Sequence, residues 1–299
     1  MNSKLFDKLI NARVKIAQSE LEQKLLYLPV QLIQATLPHR DPGDQGIWVR
    51  RNGSYTLSLQ QGMEDGKLLG LPYGTIPRLL LFWMTTEALK TKSRKLVLGK
   101  SLAAFMSEVG LNSRNGTGPR SDSTRLREQM RRLFRCHISF DHLEYTEKYK
   151  KTDGISMEVA PARRLFWDLK QPSQDTLFES WILLGEFFYE AILEAPVPAD
   201  VNAIRALKNS PLALDLYSWA TYRSFTQRGK SEDLFIPWAT FGKQLGVEFQ
   251  ELYELKRKTR KALEKVQQVY PGLRMTTTSE GLILSKSRTS VFIKPKKIS

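Results

Sequence analysis

Leu252, Leu255, Thr259, Ala262, Leu263, Val266 and Val269 recur every third or fourth position, which predicts a helix over residues 251–269 with one buried stripe. The rest of its circumference carries Lys256, Arg257, Lys258, Arg260, Lys261 and Lys265. A helix so divided can rest on a core and hold a cationic ridge toward a polyanion, although a solvated basic face has the same pattern. Upstream, residues 235–246 read as a short helix closed by glycine and followed by a turn. Downstream, residues 273–278 and 282–288 alternate about Ser279-Glu280-Gly281, as a hairpin does. Helix, turn, basic helix and hairpin is the order of a winged helix-turn-helix, whose second helix enters the DNA major groove.

Residues 6–28 are helix-like, with Leu5, Leu9, Ile16, Leu21 and Leu25 near a seven-residue rhythm that suits dimerisation or packing on its own domain equally. Turn residues make 39–46 a loop, and alternation on both sides of Asn52-Gly53 predicts a hairpin with a type I′ turn over 47–59. A helix over 78–89, a short strand over 95–99 and a helix over 102–109, capped by Ser101 and ended by Gly110, come next. Leu126, Met130, Leu133 and Phe134 mark one face of a further helix whose other positions are rich in arginine. Residues 138–149 and 155–159 then read as a wing, and 181–184 and 187–193 as buried strands that enlarge this domain. Residues 195–200 form a linker stiffened by Pro196 and Pro198, and helices over 201–207 and 212–225 open the next unit.

Laid over itself with a shift of 136 residues, the chain aligns Trp83 with Trp219, Thr85 with Thr221, Leu98 with Leu234, Phe105 with Phe241 and Gly110 with Gly246, without a gap. The arginine-rich helix falls where the second basic helix does, once the polar loop over 112–121 is counted as an insertion. The chain reads as two copies of one unit. The expected fold is α+β, two tandem winged helix-turn-helix domains with the first enlarged by extra β-strands. Their expected limits are 1–194 and 201–299, joined by the 195–200 linker.

Charge sharpens this picture. The net +15 is not spread evenly: residues 113–135 hold +5 and residues 251–299 hold +8. Two basic foci fit phosphate contacts at two places on a nucleic acid better than an anionic membrane surface, since neither focus has a broad aromatic face. No apolar run is long enough to span a bilayer, and the first ten residues lack a signal-peptide core. The single cysteine, Cys136, excludes an internal disulfide and fits a cytoplasmic protein.

Catalytic patterns are missing. Gly99-Lys100-Ser101 lacks the glycine a phosphate-binding loop needs five residues before the Gly-Lys, where Arg94 stands. The three histidines, including His137 and His142, do not form the pair that DNA-nicking initiators use to hold a metal. The expectation is a binding protein, not an enzyme, with no metal and no cofactor.

Four segments carry a family resemblance. They are Leu71-Pro-Tyr-Gly-Thr-Ile-Pro-Arg-Leu-Leu-Leu-Phe-Trp-Met-Thr-Thr-Glu-Ala, Leu98-Gly-Lys-Ser-Leu-Ala-Ala-Phe-Met-Ser-Glu-Val-Gly-Leu, Thr124-Arg-Leu-Arg-Glu-Gln-Met-Arg-Arg-Leu-Phe and Ala35-Thr-Leu-Pro-His-Arg-Asp-Pro. Together they resemble the plasmid-encoded RepA replication initiators, over roughly residues 32–291. The resemblance implies binding to repeated duplex sites (iterons) at a plasmid origin, help in melting the adjacent DNA, and recruitment of the host initiator and replicative helicase. It also implies a homodimer, repressing its own gene, in equilibrium with a monomer. On the presumed groove-facing helices, Arg125, Arg127, Arg131 and Arg132, with Lys256, Arg257, Arg260 and Lys261, are the candidates to reach bases. Ser113, Arg114, Thr117 and Arg120 in the loop, and Lys286 and Arg288 on the second wing, are the candidates to hold phosphates. A two-domain winged-helix transcriptional regulator is the alternative in the same class, and a nicking enzyme the alternative outside it.

Overall fold

The computed structural model of the chain describes residues 3–18, 24–113, 118, 121–145, 150–167, 173–245 and 251–291. The fold is mixed α and β, with several small sheets. The chain divides into two compact units, Leu28–Pro196 and the paired segments Met1–Tyr27 and Val197–Ser299. The N-terminal segment therefore sits with the C-terminal unit, where the sequence reading places it with the first domain.

Helix α1 (Ser3–Gln18) shows why. Its Leu9, Ala12 and Ile16 are buried, so this stripe is core within its own unit. Strand β1 (Leu25–Pro29) then crosses into the other unit.

Leu28–Pro196 opens with α2 (Val30–Gln34) and the hairpin β2 (Ile47–Asn52) and β3 (Tyr55–Gln60). Asn52 pairs with Tyr55, so the loop is Gly53-Ser54. Positive φ falls on Gly53 alone, which is the type II′ pattern and not the expected type I′. After the short strands β4 (Met63–Glu64) and β5 (Lys67–Leu68) comes α3 (Thr75–Thr91), buried nearly all round because it is apolar nearly all round. Its one buried cation, Arg78, donates to the carbonyls of Leu37, Pro38 and Gly74 at 2.6, 3.1 and 2.6 Å. That guanidinium pins the 35–42 segment to the start of α3.

The unit continues through β6 (Lys95–Gly99), α4 (Leu102–Glu108), α5 (Asp122–Phe134), β7 (His137–Tyr145) and β8 (Lys150–Glu158). Strands β7 and β8 form the expected hairpin, but it joins the first hairpin in a four-stranded sheet of order β2-β3-β7-β8. They are not the partner of β6. That partner is β10 (Ser180–Leu183), itself paired with β9 (Ala162–Arg164). The last segment, expected as a strand over 187–193, is instead α6 (Glu186–Glu194). Phe188, Ala191 and Ile192 are buried at helical spacing while Phe187 and Leu193 are exposed, so an apolar run that reads as a buried strand is one helix face.

The return crossing is β11 (Pro196–Asp200), which pairs with β1 in a two-stranded sheet rather than acting as an open linker. Asp200 caps α7 (Val201–Leu207), accepting from the amides of Asn202 and Ala203 at 2.7 and 3.1 Å. Then follow α8 (Pro211–Thr226), β12 (Leu234–Pro237), α9 (Trp238–Leu245), α10 (Leu252–Val269), β13 (Met275–Thr277) and β14 (Gly281–Leu284). Helices α1, α7 and α8 all pack against α10. The β12-β14-β13 sheet is so close that a Cβ on Gly281 would lie 2.2 Å from the Ile236 carbonyl oxygen.

The two units repeat one order once the β7–β8 hairpin, which follows α5 in the first and pairs elsewhere, is set aside. In α3–β6–α4–α5–β9–β10 and in α8–β12–α9–α10–β13–β14, the last strand lies between the other two, antiparallel to both. Trp83 meets Phe105 edge-to-face at 5.0 Å, and Trp219 meets Phe241 the same way at 6.1 Å. Thr85 and Thr221 are both buried. Leu98 and Leu234 do not keep the correspondence: Leu98 is buried in its strand, whereas Leu234 is half-buried at the start of its own. Gly110 has the expected positive φ, and Gly246 lies outside the described residues.

Candidate nucleic-acid interface

Helix α5 starts at Ser121, whose Oγ accepts from the Thr124 amide at 3.2 Å, and Asp122 in its first turn suits the helix dipole. Leu126, Met130, Leu133 and Phe134 are buried as the pattern predicts. The arginines opposite them differ among themselves. Arg125 is half-exposed, 3.6 Å from Asp122. Arg127 bonds Thr124 Oγ1 at 3.3 Å through its terminal nitrogen. Arg131 donates through Nε to Glu64 at 2.6 Å and also pairs with Glu128 at 3.5 Å.

Arg132 is largely enclosed, with 16% of its side chain exposed. It reaches Glu128 at 2.8 Å, the Leu71 carbonyl at 3.2 Å and Asp41 at 3.5 Å, and its guanidinium lies 5.3 Å over the Tyr73 ring. Those contacts make it a clamp on the Leu71-Pro72-Tyr73 turn. Arg135, which the sequence reading did not single out, donates to Glu64 at 2.6 Å and to the Met63 carbonyl at 2.7 Å. Burial works to raise the Glu64 pKa, but the hydrogen bond from Arg131 and the charges of Arg131, Arg135 and Arg163 outweigh it and hold the carboxyl below its ordinary range.

A cleft of about 710 Å³ runs beside α5, lined by Tyr73, Ile76, Arg125, Arg127, Met130 and Trp167 among others. Arg127 Nε and Trp167 Nε1 are buried donors without a hydrogen-bond partner. Ser113 is exposed beyond α4, while Arg114, Thr117 and Arg120 lie outside the described residues.

Helix α10 buries Leu255, Thr259, Ala262, Leu263, Val266 and Val269. Leu252, assigned to the same stripe from its spacing, is 53% exposed in the first turn. Glu254 pairs with Arg257 at 2.9 Å and with Lys258 at 3.1 Å. Hydrogen bonds from Lys258 and Arg257 lower the Glu254 pKa. Lys256 turns toward the β13–β14 hairpin and donates to the Ser279 carbonyl at 2.8 Å. Trp238 holds the same turn, through its indole N–H to the Thr278 carbonyl at 3.2 Å and its amide to the Glu280 carbonyl at 3.1 Å. Arg260 and Lys261 are exposed and enter no ion pair among the described residues.

Lys286 and Arg288 are placed differently from the sequence expectation. They follow β14, past the Thr278–Gly281 turn, and line a second cleft of about 730 Å³ together with Arg13 and Arg274. Spacing could not find Arg13 and Arg274, because the four residues belong to three separate segments. Cys136 is buried, and that burial pushes its thiol up to about 12, so it is a core residue. Among the described residues no His, Cys, Asp and Glu group could hold a metal ion, and no helix is long and apolar enough to cross a membrane.

The two units share one design, each with a basic helix beside a small antiparallel sheet. Residues 71–240, more than half of the 299, match the family described as "Plasmid encoded RepA protein". The chain belongs to that family of plasmid replication initiators. Among solved structures, a selenomethionine derivative of domains 2 and 3 of RctB gives a TM-score of 0.52 at 9% identity, covering 86% of this chain and 98% of that one. A further crystal structure of RctB domains 2–3 gives 0.47 at 11% identity, over 85% and 94%. The first likeness is one of fold. No curated protein sequence matches the chain significantly.

Proposed function

We propose that both units are winged helices and that α5 and α10 read duplex DNA at the origin of the encoding plasmid. The shared order of helices and strands, with the closing strand in the middle of each small sheet, carries this reading. In it, β9–β10 and β13–β14 are the two wings. Arg260 and Lys261 on α10, and Arg125 and Arg127 on α5, are the side chains with reach toward bases and phosphates. The unpartnered donors of Arg127 and Trp167 suit a cleft that receives acceptors from a ligand. Arg132 is a structural clamp in this scheme, and Arg131 contacts DNA only if it leaves Glu64.

Binding to repeated sites would let the chain mark the origin in the cytoplasm, favour melting beside it and bring in the host initiator and replicative helicase. A dimer of the same chain would repress its own gene. No step here is catalytic. Footprinting on the encoding plasmid tests the reading: protection should repeat along the origin, with two protected major grooves per site about 10 base pairs apart. Protection confined to one isolated operator would favour a transcriptional regulator, and metal-dependent nicking of supercoiled origin DNA would favour an enzyme. Either result would overturn the proposal.

A further inference from the structure

The cleft formed by Arg13, Arg274, Lys286 and Arg288 is a second concentration of positive charge in the C-terminal unit. Three segments converge on it: α1, the chain leaving α10, and the chain leaving β14. Tyr270 donates its hydroxyl to the Arg288 carbonyl at 2.7 Å, and the Arg274 amide donates to Ser287 Oγ at 2.8 Å. The approach is close, since a Cβ on Gly272 would lie 3.0 Å from Arg288 Cβ. All four cations are exposed, none is in an ion pair among the described residues, and no carboxylate lines the cleft.

Elsewhere the chain balances such crowding. Arg131, Arg132 and Arg135 share Glu64, Glu128 and Asp41. Four cations gathered without an acid repel one another unless an anion joins them, and guanidinium forks match phosphate oxygens in pairs. The cleft also lies away from the end of α10 that touches the hairpin turn. Lys256 lies near that end, whereas Tyr270 and Arg274 follow the other, and the 14 residues from Lys256 to Tyr270 span about 21 Å along the helix.

We infer that this cleft is a second phosphate-binding site, which takes the backbone of a nucleic acid at a place α10 does not read. The phosphates come from one of two sources: the same duplex about six base pairs along (a rise of ~3.4 Å each), or a separate DNA segment. This inference rests on DNA binding by the chain but not on which helix reads the bases.

The test uses the full chain and two measurements. Anisotropy titrations with a 30-base-pair origin duplex at several salt concentrations give the slope of log affinity against log salt. Capture of a labelled random-sequence duplex by protein held on a bead-tethered origin duplex reports a second segment. If the phosphates belong to the same duplex, Arg274→Gln/Arg288→Gln should flatten the slope by about 0.9 for each phosphate no longer neutralised, without changing the protected bases. If they belong to a separate segment, the native chain should capture the second duplex and the variant should not. Arg13→Gln, on an exposed helix face, carries the same test should the double variant misfold.

Equal slopes and equal capture for native chain and variants would overturn the inference. If Arg260→Gln/Lys261→Gln nevertheless abolishes origin binding, the proposed function survives that result. A native chain that binds no DNA would overturn both.

Discussion

Helices α5 and α10 occupy the same place in two copies of one arrangement, yet they present their charge in opposite ways. On α5, carboxylates from outside the helix add to its own: Glu64 takes Arg131 and the following Arg135, while Asp41 joins the helix's own Glu128 in holding Arg132. On α10, Glu254 lies within the same helix and takes only its neighbours, so Arg260 and Lys261 remain exposed. A repeated scaffold thus fixes where a basic helix sits and not how available its charge is. The α5 face is stiffened and partly neutralised by its surroundings. The α10 face leaves Arg260 and Lys261 exposed and outside its ion pairs.

The strongest way to break this contrast is to remove charge from each helix in turn. Arg260→Gln/Lys261→Gln should weaken origin binding by at least tenfold to a hundredfold, since one Arg contact to a base contributes about 1–3 kcal/mol. Arg131→Gln/Arg132→Gln should cost less affinity and more stability, because those side chains are held by Glu64, Glu128 and Asp41. Anisotropy with thermal melting on both variants decides it, and equal affinity losses would erase the distinction.

Glu64→Gln should act with opposite signs on two readouts. Loss of the shared acceptor should destabilise Leu28–Pro196 by about 1–2 kcal/mol, as expected for hydrogen bonds to a partly exposed charged group. Release of Arg131 and Arg135 should at the same time raise affinity for random-sequence duplex a few-fold. Denaturant titration and a binding isotherm measure the two, and weaker non-specific binding by the variant would contradict the tethering account.

The same carboxyl sets a pH dependence. Its folded pKa is lowered, so its contribution is full above the unfolded carboxylate value of about 4.3 and is lost as pH falls through the lower folded value. The stability gap between native chain and Glu64→Gln should therefore be constant near neutrality and close only in acid. A gap that closes between pH 6 and 8 would point to another group.

The smallest effect is expected from Lys256→Met, which removes the bond to the Ser279 carbonyl. A single exposed bond contributes about 0.5–1.5 kcal/mol at most, so global stability should barely move. Hydrogen exchange at the amides of residues 275–284 should speed up locally. Unchanged exchange there would mean that Trp238 alone holds the turn.

Local pattern was enough to specify α5 and α10 and their buried faces, though not α6, whose apolar run reads as a strand. The 3.6-residue rhythm of α10 and the stripe of α5 are properties of a short stretch, and burial follows them except at Leu252, where the first turn of α10 projects beyond the core. The ungapped shift also carried real information, since Trp83 with Phe105 and Trp219 with Phe241 form matching aromatic pairs. Strand partners were a different matter. Alternation says that a segment is a strand and which face is apolar, but any edge with the right face satisfies it. Only the assembled unit gave β7 to β3 and left β6 to β10.

The availability of each arginine was equally out of reach. Glu64 stands 67 residues before Arg131, and Arg13 lies far along the chain from Arg274 and Arg288. Periodicity and composition act over a few turns of chain, so the sequence by itself determined the amphipathic basic helices, the repeated order and the amount of charge. Ion pairs and clefts arise when distant segments close on one another. The tertiary structure alone therefore decided which cations are neutralised and which four meet without an acid.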